Sequence, residues 1–190
     1  MDFSVNDETS KLISVIIGIA NDMGETPNID DLYDPKSIQN LKLGNYPLES
    51  NMVIELENFS NILIKHGVNV FRPNNIKNCN QIFARDVGFV INNFFFKSNI
   101  LPKRDKEYFG IKSIVETFNG QVVNIPEKIH VEGGDVISTD NNIFIGFYDK
   151  LDYSELYTAR TNKYAISYFE NFFPNKNIKS FHLKKSNLDP

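Results

Sequence analysis

The sequence predicts an α/β fold assembled from repeated β-β-α-β modules, and two observations carry this prediction. First, the segment 85–96 aligns with 134–145 at a constant offset of 49 residues, which places Asp86 on Asp135 and superimposes their asparagine pairs. In both copies apolar residues alternate on either side of that pair, a pattern typical of a β-hairpin. Second, apolar residues at helical spacing follow each hairpin, and another apolar strand comes next. Modules of roughly 50 residues bury their apolar faces only by stacking or by closing into a ring.

The first of these two copies gives a module at 80–126. After its hairpin, a helix is predicted from Tyr108 to Phe118, because Ile111 and Val115 recur at helical spacing within it. An Asn-Gly pair ends this helix, and the segment QVVNIP returns as a strand.

The second copy gives a module at 129–183 with the same order of elements. Its helix is predicted from Asn162 to Phe172, with Thr161 as the N-cap residue. Pro174 ends the helix, and the segment IKSFHL forms the last strand.

A looser copy precedes both, at 11–73. The segment ISVIIGI reads as a strand, Val53–Lys65 as a helix ending at Gly67, and VNVFRP as the return strand. The chain therefore contains about three modules in one domain, and the strands at its two ends need either a partner or further polypeptide to cover them.

Composition places the chain among ordinary globular proteins. It has 190 residues, 41% of them hydrophobic and 23% charged, which suits one domain with a real core. Its formal net charge of -4 predicts no general affinity for nucleic acid or anionic membranes. The acidic N-terminal stretch and the short apolar run after it are unlike a secretory signal or a membrane span, so we expect a cytoplasmic protein. Cys79 is the only cysteine, which excludes internal disulfides and zinc sites built from several cysteines.

The stretch NQIFARD contains the first candidate binding residues. If it is a strand, alternation places Asn80 and Asp86 on one face, where both reach a ligand at that face or its end. A carboxylate there suits a guanidinium group, which donates two parallel hydrogen bonds. The alternative is that Asp86 caps a turn and Arg85 pairs with a surface acid.

Two further candidates lie in the next module. Glu132 departs from the repeat, because the equivalent residue is Phe83, and such departures are typical of functional positions. A carboxylate at Glu132 suits the orientation of a catalytic histidine, whereas the alternative is a hydrogen bond to the adjacent Gly-Gly turn. Arg160, just before the predicted helix, suits a substrate carboxylate, whereas the alternative is pairing with Glu155 or exposure to solvent.

Taken in order, FARD (83–86), VEGGDV (131–136) and ARTN (159–162) resemble motifs of the guanidine-modifying enzyme superfamily, the pentein fold. This group includes arginine deiminases, dimethylarginine dimethylaminohydrolases and glycine amidinotransferases. The resemblance implies a closed α/β propeller of five ββαβ modules around a central active site, of which about three are present here. It also implies a small arginine-like guanidino substrate and no metal or other cofactor.

The resemblance implies a role for each matching residue. Asp86 binds the substrate guanidinium, Asn80 assists it, Glu132 is the acid of a Cys-His-acid triad, and Arg160 grips the substrate carboxylate. The segment LPKRDKEYFG (101–110) resembles amidinotransferases in particular, which makes Lys103 and Arg104 candidates for substrate contact. Glutamate rather than aspartate at the triad acid favours the hydrolases.

The chain departs from the family pattern in its nucleophile. Family members carry the reactive cysteine near the C-terminus, whereas the only cysteine here, Cys79, lies in an earlier module. The segment FHLKKSNLDP resembles the lead-in to the family's catalytic histidine, and His182 is the alternative candidate for that histidine. Two hypotheses follow: an N-terminal part of a guanidino hydrolase or amidinotransferase, inactive alone, or a non-catalytic module that binds guanidino ligands or self-associates as a homo-oligomer.

Overall fold

The computed structural model describes residues 4–32, 35–117, 120–149 and 161–183. Helices and strands alternate along most of the chain. The helices are α1 (Pro35–Lys42), α2 (Glu49–Lys65), α3 (Ala84–Val87), α4 (Glu107–Glu116) and α5 (Tyr164–Phe172). The strands are β1 (Ser14–Ile16), β2 (Asn69–Phe71), β3 (Gly88–Ile91), β4 (Phe94–Lys97), β5 (Gln121–Asn124), β6 (Val136–Ser138), β7 (Asn142–Phe147) and β8 (Asn177–His182). The predicted α/β class is confirmed.

These strands form separate sheets that do not close into a ring within the described ranges. The first sheet contains β1 and β2, the second β3–β4–β5, and the third β6–β7–β8. In the second and third sheets an antiparallel hairpin is extended by a parallel strand that returns after a helix. The first sheet has only the parallel pair, with α2 between its strands.

Two local predictions were wrong. The stretch before β3 is not a continuous strand, because Ala84–Val87 form one helical turn in which the Asp86 amide donates to the Phe83 carbonyl oxygen (3.1 Å). Thr161 is not the N-cap residue, because α5 begins at Tyr164 and its capping position has no side-chain hydrogen bond. In both places, contacts with distant residues replace the pattern that the local sequence favours.

The main hydrophobic core lies between the second sheet, the third sheet and α5. Phe96 and Phe169 are fully buried, with ring centroids 5.3 Å apart, and Phe89 stacks on Phe96 at 5.4 Å. A smaller core packs α4 against the second sheet; it comprises Val87, Phe95, Ile100, Ile111 and Val115. Since burial of one phenylalanine contributes about 1.5–3 kcal/mol, these aromatic contacts stabilise the packing of α5 on the second sheet.

Helix α2 packs much less completely. Of its 17 residues, all within the described ranges, Ser60 is the one that is buried. Ile54, Phe59 and Ile62 are exposed on its outer side. Among the helices described, none is both long enough and apolar enough to cross a membrane.

Candidate functional site

Four buried or nearly buried charged side chains meet between the second and third sheets. Three carboxylates, from Asp86, Glu107 and Glu132, surround the guanidinium group of Arg104, and we call these four residues the Arg104 cluster. Arg104 Nη1 donates to Asp86 Oδ2 at 2.9 Å and to Glu132 Oε2 at 3.5 Å. The exposed fractions of the side chains are 6% for Arg104, 13% for Asp86 and 1% for Glu132. The structure thus brings together two of the predicted site residues and joins them through a guanidinium group.

Arg104 is positioned by the turn that starts α4. Pro102–Arg104 form a 3-10 turn directly before the helix, and Glu107 is the first helical residue. This spacing of three residues places the two side chains on the same side of the turn. Arg104 Nε and Nη2 donate to the two oxygens of Glu107 at 2.7 and 2.8 Å, a bidentate pair. Because both side chains are buried, this pair fixes the direction of the guanidinium tip.

The glycine pair after Glu132 allows the close approach of the two motifs. A Cβ on Gly133 would lie 2.1 Å from the Arg85 carbonyl oxygen, and one on Gly134 would lie 2.6 Å from Asp86 Oδ1. Arg85 strengthens this contact, because its Nε donates to the Gly133 carbonyl oxygen (2.9 Å) and its Nη2 to that of Val136 (2.6 Å). The glycines therefore bring the Asp86 turn against the Glu132 segment.

Thr161 orders the other side of the same segment. Its hydroxyl accepts a hydrogen bond from the Glu132 amide (3.2 Å) and donates one to Asp135 Oδ2 (2.7 Å). Thr161 is fully buried, so this hydroxyl satisfies two polar groups in the interior. Thr161 was predicted only as a helix cap, and its role in the site depends on contacts over 26 and 29 residues of sequence.

Several predicted residues lie elsewhere. The Asn80 side-chain oxygen accepts from the Ile82 amide at 3.1 Å, which is a local turn contact. Arg160 lies outside the described residues. His182 lies on β8, with its Nε2 3.0 Å from Asp149 Oδ1 and its ring beside Tyr148. Lys103 is exposed, in contrast to its neighbour in the Arg104 cluster.

Cys79 is poorly suited to act as a nucleophile. Burial raises the pKa of its thiol, and the negative charge of Glu107 raises that pKa further. A reactive cysteine needs the opposite effect, because the thiolate is the attacking species. This agrees with the assignment of no catalytic role to Cys79 from the sequence.

Two clefts of the described surface lie away from the Arg104 cluster. A cleft of about 340 Å³ is lined by residues that include Asn92, Asp140 and Phe172, and one of about 300 Å³ by Asp22, Glu49 and Lys77 among others. Neither is lined by Asp86 or Glu132. In the described part of the chain, no group of three or more His, Cys, Asp or Glu side chains is arranged to hold a metal ion.

Solved structures of other proteins share this architecture. No protein-family model matches the sequence, and no curated protein matches it. Solved structures do match. SxtG, an amidinotransferase of saxitoxin biosynthesis from Microseira wollei, superimposes with a TM-score of 0.68 at 15% identity, covering 94% of this chain and 62% of that one.

Two hydrolases match equally well. The N-terminal domain of ArgZ, a cyanobacterial arginine dihydrolase bound to substrate, gives a TM-score of 0.68 at 16% identity over 91% of this chain and 59% of that one. The Pseudomonas aeruginosa dimethylarginine dimethylaminohydrolase bound to citrulline gives 0.66 at 16% identity, over 92% and 62% of the two chains. The mixed α/β fold of this chain matches these pentein-family structures. The closed propeller and the number of modules expected from the sequence stay predictions, and the chain spans about three fifths of the length of these structures.

One member of the Arg104 cluster was not foreseen. Glu107 follows Arg104 by three residues at a helix start, and the sequence shows this spacing plainly. An Arg-x-x-Glu pair on a helix surface has the same spacing, so spacing alone does not distinguish a buried pair from an exposed one.

Proposed function

We propose that this chain forms the guanidinium-binding part of the active site of a guanidino-group-modifying enzyme. The supporting observation is the Arg104 cluster, in which Asp86 from α3 and Glu132 from the segment before β6 bind one guanidinium group. Matched solved structures include an amidinotransferase, an arginine dihydrolase and a dimethylarginine dimethylaminohydrolase. The ligand is therefore a small arginine-like molecule, either arginine or a methylated arginine.

The proposal includes the architecture of the complete site. The chain is one partial pentein domain with modules at about 11–73, 80–126 and 129–183, three of the five that form the closed ring. The matched structures are longer than this chain, which leaves room for two further modules. Those modules supply the nucleophilic cysteine and its histidine, because the only cysteine here is Cys79 and its raised pKa disfavours the thiolate.

In the complete site each residue has one task. Asp86, assisted by Asn80, binds the positively charged guanidinium group, and Glu132 orients the catalytic histidine as the triad acid. Arg160 binds the substrate carboxylate. A cysteine thiolate attacks the guanidinium carbon, the carbon–nitrogen bond to the leaving amine breaks, and the histidine gives that amine a proton. Water then releases a ureido product, or a second amine accepts the amidino group.

Calorimetric titration of arginine into this chain tests the binding step. We expect saturable binding that is lost in Asp86→Asn, which keeps the size of the side chain and removes its charge. Norleucine is the matched ligand control, because it has the amino-acid part and an unbranched side chain without a guanidinium group. Equal binding of arginine and norleucine, or unchanged arginine binding in Asp86→Asn, would contradict the proposal.

A second experiment distinguishes an enzyme part from a non-catalytic binding module, the alternative favoured by the unreactive environment of Cys79. The coding DNA beyond the Pro190 codon is read first, and any longer product is then incubated with arginine and methylated arginine. Citrulline release without an added amine indicates hydrolysis. Ornithine release that requires an added acceptor amine, with the amidino group recovered on that amine, indicates amidino transfer. If the codon after Pro190 is a stop, or a longer product binds arginine without turnover, the non-catalytic module is the better description.

A further inference from the structure

We propose that Glu8 is a positioning residue for the guanidinium-binding site, on which it acts through Arg85. By holding the Arg85 side chain, Glu8 keeps the Asp86 carboxylate in place against the Gly-Gly turn. This inference rests on the proposed function, because it concerns the carboxylate that is proposed to bind the ligand. Glu8 itself lies outside the Arg104 cluster, in the segment before β1.

The N-terminal segment connects the second and third sheets. Val5 and Asn92 exchange two backbone hydrogen bonds, of 2.8 and 2.7 Å, at the turn between β3 and β4. Further along the segment, Glu8 Oε1 accepts from the amide of Ser138, the last residue of β6, at 3.3 Å. Because Val5 is bonded to the second sheet and Glu8 to the third, the segment has a fixed course across both.

Glu8 also accepts a hydrogen bond from Arg85. The distance from Arg85 Nη2 to Glu8 Oε1 is 2.6 Å, and Nη2 also donates to the Val136 carbonyl oxygen at 2.6 Å. Arg85 Nε donates to the Gly133 carbonyl oxygen at 2.9 Å. Since Nη2 carries two hydrogens and Nε carries one, all three bonds form at the same time. These three acceptors hold the guanidinium group of Arg85 in one orientation.

The orientation of Arg85 matters for Asp86 because the two residues are neighbours in the single turn of α3. Through Gly133 and Val136, Arg85 ties this turn to the backbone that contains the glycine pair. A Cβ on Gly134 would lie 2.6 Å from Asp86 Oδ1, so the carboxylate is in close contact with that backbone. Any shift of the α3 turn relative to the glycine pair therefore changes the position of the Asp86 carboxylate.

Removal of Glu8 should affect the site more than the stability of the fold. The side chains of Arg85 and Glu8 are 48% and 32% exposed, and ion pairs between exposed side chains contribute little to stability. Without Glu8, Arg85 keeps its two backbone acceptors but loses the third, so its guanidinium group is held less firmly. Hydrogen bonds weaken steeply when donor and acceptor are misaligned, so a displaced Asp86 carboxylate binds a ligand guanidinium less tightly.

The experiment titrates arginine by calorimetry into the wild-type chain, Glu8→Ala, Glu8→Gln and Asp7→Asn. Glu8→Gln removes the charge but keeps an oxygen that accepts hydrogen bonds. Asp7→Asn is the matched control, because it removes the same charge from the adjacent residue, whose carboxylate accepts from Thr9 and Ser10 within its own turn.

We expect Glu8→Ala to bind arginine about tenfold more weakly than the wild type, and Asp7→Asn to bind it as the wild type does. Glu8→Gln should recover most of the affinity, because positioning depends on hydrogen bonds to the side-chain oxygen. Glu8→Gln binding as weakly as Glu8→Ala would indicate that the charge merely attracts the cationic ligand. That result, or unchanged affinity in Glu8→Ala, would overturn the positioning role and leave the proposed function intact.

A double-mutant cycle tests whether the effect passes through Arg85. In an Arg85→Met background, Glu8→Ala should cause no further loss of arginine affinity, because the group that Glu8 holds is gone. The same loss on Glu8→Ala in both backgrounds would overturn the role of Arg85 as the link to the site.

A measurement on the chain without ligand separates this inference from the proposed function. The Asp86 amide donates to the Phe83 carbonyl oxygen, and its hydrogen exchange is followed by NMR in the wild type, Glu8→Ala and Asp7→Asn. We expect about fivefold faster exchange in Glu8→Ala and no change in Asp7→Asn, because the α3 turn opens more often when Arg85 is held less firmly. Unchanged exchange in Glu8→Ala would overturn the positioning role. Faster exchange in Glu8→Ala, with no arginine binding to the wild type, would contradict the proposed function alone.

Discussion

The two-sheet part of the molecule, comprising the second and third sheets with α4 and α5, contrasts with the first-sheet part, comprising β1, α2 and β2. In the two-sheet part each sheet has three strands, and α5 buries Ala165 and Phe169 in the shared core. In the first-sheet part the sheet has two strands, and α2 buries only Ser60. The Arg104 cluster lies wholly in the two-sheet part. The comparison teaches that the candidate site lies in the part of the chain that contains the main buried core, whereas α2 of the first-sheet part buries none of its apolar side chains.

The largest expected difference between the parts is in stability. Phe169→Ala removes a fully buried ring in contact with Phe89 and Phe96, and we expect a loss of about 3–5 kcal/mol in the free energy of unfolding. The matched change Ile62→Ala, at a side chain that is 56% exposed on α2, should cost about 0.5 kcal/mol or less. Urea unfolding measures both values. Similar losses of unfolding free energy in the two variants would contradict the difference in packing between the two parts.

A pair of glycine substitutions compares close packing with backbone conformation. Gly133→Ala forces a Cβ against the Arg85 carbonyl oxygen, so we expect a loss of about 1–3 kcal/mol and, in addition, weaker arginine binding. Gly67, at the end of α2, has φ of 79° and open space around it. Gly67→Ala should therefore cost about 1–2 kcal/mol from backbone strain alone, without affecting arginine binding. Urea unfolding and calorimetry test the pair, and equal effects on binding would contradict the placement of the site.

Local unfolding should also differ between the two parts of the molecule. Amide hydrogens of α2 are expected to exchange faster than those of α5, because few buried apolar contacts oppose the local unfolding of α2. Hydrogen–deuterium exchange of peptides from the two helices, followed by mass spectrometry, measures this difference. Equal protection would indicate that the first-sheet part is covered in solution.

Sequence patterns captured the parts of this fold that are set by local periodicity. The alternation around the two asparagine pairs predicted the hairpins of β3–β4 and β6–β7, which have matching antiparallel pairing. The stretch Ala84–Val87 belongs to the segment NQIFARD that was predicted as a strand and its continuation, yet it forms a helical turn. There the contacts of Arg85 with Gly133 and Val136, about 50 residues away, outweigh the local preference.

The candidate site was predictable only in part. Asp86 and Glu132 were identified through motif resemblance, and they do lie together. The inward direction of Arg104 was not predictable, because it depends on the burial of Glu107. The role of Thr161 was missed for a similar reason, since its hydroxyl contacts Asp135 across the turn rather than the start of α5. The catalytic and binding roles of Asp86, Asn80, Arg160 and Glu132 remain predictions.

The smallest expected effect concerns Cys79, near the junction between the two parts. Burial, followed by the charge of Glu107, raises the pKa of its thiol, so the thiol keeps its proton to higher pH in the folded chain than in the unfolded chain. Stability is therefore unaffected by this group below the ordinary thiol pKa and falls as the pH rises through the folded-state pKa. Iodoacetamide labelling should have its pH midpoint shifted upward relative to the chain unfolded in urea. Identical midpoints would indicate that the junction is open to solvent.

A crystal structure of the chain with saturating arginine tests the central claim most directly, because it locates the ligand atoms. The account predicts the ligand guanidinium within hydrogen-bond distance of the Asp86 carboxylate, on the side that faces Glu132. Arginine bound only in another cleft, with the Arg104 cluster intact, would contradict it.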